Sequence, residues 1–169
     1  MRKRFVAAVI AASVLAIPVA DAAARCLTAK ERTAVRVRSL QTDLMVAALS
    51  CRAVPGRDFT GYYNAFVQRH GDRLVSHSRV LQGYFRDRYG ANSRKQFDAF
   101  MTALANDASR RSMNSPTFCD ESVQLFQEVM SLEKRDLETW SDRHNAMLPV
   151  PLESCGAEEQ GARRAKVVR

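Results

Sequence analysis

The chain has no Gly-rich phosphate loop, no CxxC pair and no Glu-x-x-His pair. The first absence leaves no strand–turn–helix nucleotide site. The second removes the thioredoxin, c-type haem and zinc-ribbon signatures together. The third argues against a carboxylate-bridged dimetal bundle, which takes such a pair from each of two helices. No alternating apolar pattern recurs either, so the sequence offers no half-buried strands. No catalytic residue and no cofactor are expected from these patterns.

What is present begins with an export signal. Arg2, Lys3 and Arg4 form a positive start, Phe5 to Ala20 an apolar stretch, and Ala22-Ala23-Ala24 a small-residue cleavage site. The apolar stretch contains Ser13 and Pro18 and is shorter than the ~20 residues of a membrane-spanning helix. Residues 1–24 are therefore expected to be cleaved, leaving a chain that does not span the membrane. Arg25 stands directly before Cys26, where a lipoprotein signal would place a small residue. The alanine-rich style is bacterial, and the expected destination is the periplasm or the medium.

Cleavage would remove three basic residues and Asp21, taking the formal net charge from +8 to +6. A chain with that charge attracts anionic partners: an acidic envelope protein, a glycan or an anionic lipid surface. Nucleic acid is not expected, because an exported protein rarely meets it and no recognition motif is present. The plain alternative is a solvated basic surface with no partner.

Apolar periodicity predicts four helices. Thr28-Ala29-Lys30-Glu31 has capping-box spacing, and Val37, Leu40, Leu44, Ala47 and Ala48 then recur on one face to about Arg52, before Pro55-Gly56. Asp58 caps a second helix carrying Phe59, Tyr62, Tyr63, Phe66, Val67, Leu74, Leu81, Tyr84 and Phe85 inward to Tyr89. Gly90 suits its end, and Gly71 is a place for a kink. The third helix starts at Asn92-Ser93, turns Phe97, Phe100, Met101, Leu104 and Ala108 inward, and ends near Ser112. Ser115 and Pro116 are expected to open a fourth, with Phe126, Val129, Met130, Leu137, Trp140 and Met147 on one stripe. Residues 156–169 are polar and aperiodic, which predicts a disordered basic tail.

Short connections between four helices predict an all-α, antiparallel four-helix up-and-down bundle over residues 25–155. That topology constrains the cysteines, which allow three pairings. Cys26 and Cys51 flank one helix and would be ~36 Å apart along it, far beyond the ~7 Å Cα separation a bridge allows. Up-and-down order places Cys51 beside Cys119 and Cys26 beside Cys155, so two disulfides with those pairings are expected. Cys119 lies in a helical first turn, where a thiol pKa falls, but Asp120 and Glu121 oppose that effect. All four thiols are expected to be structural.

Two constellations remain. Arg32 with Arg36, and Arg69 with Arg73, stand four apart on helices and form positive ridges, a candidate basic face. The tail cations Arg163, Arg164, Lys166 and Arg169 make only a weak lipid anchor. His70 and His77 share a helical face, and with His144 they could converge on a metal or haem, completed by Glu133 or a methionine. Solvated or core-edge histidines are the plain alternative. The aromatic set from Phe59 to Tyr89 could line a ligand groove, although at helical spacing it reads first as core.

The segment from Val35 to Arg52, Tyr63-Asn64-Ala65-Phe66-Val67 and Phe118-Cys119 resemble a family of small exported helical proteins of alphaproteobacteria. The resemblance covers residues 26–130 and rests on helix-face residues and cysteines rather than on a catalytic signature. The family has no established activity, and some members carry an S-adenosylhomocysteine hydrolase label. An exported chain this short, with no Gly-rich nucleotide site, gives that label no support. The first functional expectation is thus a non-enzymatic helical module of the cell envelope, acting through its basic face. The second is a small-ligand or metal/haem carrier using the bundle interior, and a hydrolase with an unrecognised site ranks third.

Overall fold

The computed structural model describes residues 26–144 and Leu152. Five α-helices account for most of them: α1 (Ala29–Ser50), α2 (Phe59–Tyr89), α3 (Ser93–Asn114), α4 (Phe118–Ser131) and α5 (Leu137–His144). Short 3-10 turns at Gly90–Asn92 and Lys134–Asp136 precede α3 and α5, and no strand element occurs among the described residues. None of the described helices is long and apolar enough to cross a membrane. The export signal, Met147, Cys155 and the tail lie outside the described residues.

Local chemistry sets the ends of α1 and α2. The Glu31 N–H donates to Thr28 Oγ1 (3.3 Å), and the Thr28 N–H donates to Glu31 Oε2 (2.8 Å). This reciprocal box satisfies two donors that the first helical turn would leave open. In α2, Asp58 Oδ1 accepts from the Gly61 N–H at 2.8 Å. A Cβ on residue 61 would stand 2.1 Å from Asp58 Oδ2, so the cap in this form requires glycine there. The helix then runs unbroken through His70-Gly71 to Gly90, whose φ of +51° ends it. The possible break at Gly71 does not occur.

The fourth helix departs from expectation at both ends. Helical winding starts at Phe118, not at Ser115; residues 115–117 form a turn in which the Phe118 N–H donates to Ser115 O. Phe118 is buried and Cys119 is bridged, so tertiary contacts rather than Pro116 fix the register. The helix also comes in two pieces. Leu132 and Glu133 are extended, with ψ of 144° and 155°, and the Arg69 guanidinium donates to Leu132 O at 2.7 Å. That contact satisfies a carbonyl released where α4 stops.

α1 and α2 both run through the core of the described residues and supply side chains to each of its two clusters. At one end Leu44, Ala47 and Cys51 gather with Phe59, Phe66, Phe126, Val129, Leu137 and Trp140. At the other, Leu27, Ala34 and Val35 gather with Leu81, Tyr84, Phe85, Phe100 and Leu104, and Leu152 packs against this second group. Each large side chain so buried contributes about 1.5–3 kcal/mol relative to exposure. Polar contacts mark which ends meet: Ser50 with Ser112, Arg38 with Met101, and Thr33 with Asp142. The Cys51–Cys119 disulfide closes the first end, with Cα atoms 5.6 Å apart. The expected Cys26–Cys155 partner involves a residue outside those described.

Candidate functional site

The three histidines occupy different environments. His70 is fully buried on α2, its ring 5.2 Å from that of Phe66, and neither ring nitrogen makes a hydrogen bond. Burial pushes its pKa down and the nearby Arg69 charge adds to this; the Val129 backbone and Glu138 oppose the shift only in part. His77 Nε2 lies 3.0 Å from Glu138 Oε1 on α5, while Arg73 approaches the same oxygen at 3.6 Å. His144 stacks on Trp140, with ring centroids 4.1 Å apart and planes 9° from parallel. Among the described residues no three His, Cys, Asp or Glu side chains are placed to hold a metal ion. Glu133 is exposed and pairs with Arg135 at 2.9 Å.

The arginines of the candidate basic face are tied to the fold. Arg32 donates to Leu27 O at 3.2 Å, beside the start of α1. Arg36 reaches both the Asp142 carboxylate (3.0 Å) and the Asp142 carbonyl (3.3 Å). Arg69 holds Leu132 O, and Arg73 faces Glu138. Three of the four therefore fasten the segment from 132 to 142 onto α1 and α2. Spacing on one helix could suggest a ridge, but not that another helix supplies carboxylates and carbonyls opposite it.

Two further arginines, one half-buried and one exposed, make polar contacts between or along helices that spacing alone did not indicate. Arg38 lies between Gln41 Oε1 (2.6 Å) and Met101 Sδ (3.3 Å), and burial lowers its pKa. Arg111 on α3 meets Asp43 on α1 at 2.6 Å, with the Asp43 side chain 15 % exposed. Burial raises the Asp43 pKa, with Arg111 acting against it. For Arg111, burial works downward, but the Asp43 charge and the hydrogen bonds to Asp43 and Asp107 outweigh it and raise the pKa.

The chain matches no protein-family model, no curated protein and no solved structure. Function must be argued from the surface. A pocket of about 460 Å³ opens where α2 turns into α3, lined by Gln82, Phe85, Arg86, Ser93, Arg94, Phe97 and Asp98. Phe85 and Phe97 meet edge to face at 5.6 Å and form its floor. Arg86 and Arg94 make no ion pair or hydrogen bond among the described residues. Asp98 is the one carboxylate in the lining, leaving a net positive site.

One signal of this site was present in the sequence. The first turn of α3 contains Arg94 and Lys95 and no acidic residue. Cations there oppose the positive end of the helix dipole, usually by 0.3–1 kcal/mol each. A local rule broken without a compensating partner is characteristic of functional positions. The α2 end adds Arg86 and Arg88 in its last turn, where they suit that helix but concentrate charge at the same corner. Arg88 is engaged by Tyr89, donating from Nε to its hydroxyl at 3.2 Å.

Proposed function

We propose that this protein is a non-enzymatic binding module of the bacterial cell envelope that holds an anionic component at the α2–α3 corner. The observation that carries the reading is the pair of unpartnered guanidinium groups, Arg86 and Arg94, lining one 460 Å³ pocket over an aromatic floor. Guanidinium forks suit phosphate and carboxylate oxygens, and the aromatic floor suits an apolar or sugar face. On this reading the basic partner surface lies away from Arg32, Arg36, Arg69 and Arg73, whose contacts are within the fold.

Export to the periplasm or medium is part of the proposal. Its supports are the signal-like residues 1–24 and a disulfide, which persists in oxidising compartments. So is the architecture of an antiparallel four-helix up-and-down bundle, with α4 and α5 together as its fourth member. The end-to-end contacts Cys51–Cys119, Ser50–Ser112 and Thr33–Asp142 are those such an order requires. A second bridge, Cys26–Cys155, is supported by the absence of free cysteines among the described residues and by Leu152 packing on the cluster that includes Leu27. Membership of the alphaproteobacterial family belongs to the same reading.

Co-sedimentation with phosphatidylglycerol vesicles, and binding to an immobilised polyanionic glycan, test the anionic partner. Binding to one of the two is expected to weaken with added salt and to fall at least tenfold in an Arg86→Ala/Arg94→Ala variant of unchanged helix content. Equal binding to phosphatidylcholine, or an unaffected double variant, sinks the proposal.

A further inference from the structure

We propose that the groove between α2 and α4 binds a small amphipathic carboxylate of the medium-chain acyl type. The groove measures about 280 Å³ and is lined by Arg57, Tyr62, Val123, Phe126, Gln127 and Met130. It lies at the opposite end of α2 from the Arg86–Arg94 pocket and is independent of that reading.

The two kinds of lining specify the ligand. Val123 and Met130 stand seven apart on α4, hence on one face two turns apart, with Phe126 between them. Phe126 is held by Phe59 at 6.1 Å and by Tyr62 at 5.8 Å, so the floor is rigid. Met130 is the adaptable part of it, since an unbranched thioether fits irregular apolar shapes. Around this floor stand the Arg57 guanidinium, the Tyr62 hydroxyl and the Gln127 amide, none hydrogen-bonded to another described residue. Three groups able to donate, one of them the only cation of the lining, fit a single planar carboxylate better than a dianion or an amine.

Size and rigidity narrow it further. The volume lies at the lower edge of the ~300–1,000 Å³ of ligand clefts, too small to enclose a long-chain lipid. The walls are also joined covalently: Cys51 lies six residues before Arg57, and Cys119 one helical turn before Val123. A site whose walls are cross-linked before binding loses less entropy on binding.

The test titrates decanoate into the oxidised full-length protein and follows methyl resonances by NMR, with decylammonium as the charge control. Saturable shifts at Val123 and Met130 are expected, with a dissociation constant below about 1 mM. Decylammonium is expected to bind at least tenfold more weakly, and Arg57→Ala to weaken decanoate about tenfold at unchanged helix content. Arg57 lies exposed in the α1–α2 loop, so its removal leaves the core intact. The Arg86→Ala/Arg94→Ala variant is expected to bind decanoate as the parent does. Equal affinity for the two probes overturns the proposal, as does an unaffected Arg57→Ala variant. So do shifts centred on exposed Leu49 and Met113, or groove shifts that follow protein concentration without ligand and mark a second copy.

Discussion

Replacing Cys51 and Cys119 together by alanine removes a cross-link spanning 68 residues. Chain-entropy arguments assign a loop of that length about 4 kcal/mol at 25 °C, through the conformations it denies the unfolded chain. Cys51 is 1 % exposed, so losing its sulfur adds a packing loss of about 1 kcal/mol. Unfolding entropies of ~2.1 cal/mol/K per residue over about 120 ordered residues give ~0.25 kcal/mol/K at the midpoint. The thermal midpoint of the double variant should therefore fall by about 15–20 °C, read by circular dichroism under non-reducing conditions. Its denaturant m value should rise, because the uncrosslinked unfolded chain exposes more surface. A fall of less than about 3 °C would mean that these cysteines do not restrain the chain as described. Non-reducing peptide mapping that recovered Cys26 joined to Cys119 would refute the arrangement of helices as well.

The buried ring of His70 makes stability depend on pH. Its folded pKa lies below the ordinary 6.5, so below that pH the unfolded chain takes up a proton that the folded chain refuses. Stability should then fall as the pH drops from 7 towards 5, by up to about 1.4 kcal/mol per unit while that difference persists. His70→Leu should remove most of this slope in urea titrations; an unchanged slope would exonerate His70. Arg111→Ala strands the Asp43 carboxylate and should cost about 1–3 kcal/mol, most of it recovered when Asp43→Asn is added. Full additivity of the two changes would show that the pair does not interact. Thr28→Ala opens the capping box and should cost about 1 kcal/mol, measurable as a lower urea midpoint at constant m.

The helical stripes were legible because each rests on residues three or four apart in the chain. The inward faces of α1, α2 and α3 match the stripes read from spacing, and Phe126, Val129, Leu137 and Trp140 are buried as their stripe requires. The interruption between α4 and α5 was hidden for the same reason. Phe126 and Leu137 are eleven residues apart, close to three full turns, so the stripe continues in phase across Leu132 and Glu133. The extended backbone at Leu132 and Glu133 makes the break, and Arg69 of α2 takes the carbonyl it releases. The partners of the basic ridges were hidden in a similar way, since Asp142 lies 106 residues from Arg36 and Glu138 lies about 65 residues from Arg73.

By itself the sequence determined the helical character of the described residues, the caps at Thr28 and Asp58, the faces that enter the core, and the exclusion of a Cys26–Cys51 bridge. Each follows from local geometry or from helix length, which a linear string encodes directly. Tertiary structure decided which arginines are spent on the fold and which stay free at the α2–α3 corner. It also decided that the histidines serve three separate environments, and where two helices leave a groove beside Arg57. Those depend on what lies opposite each side chain, a property of packing that no single helix contains.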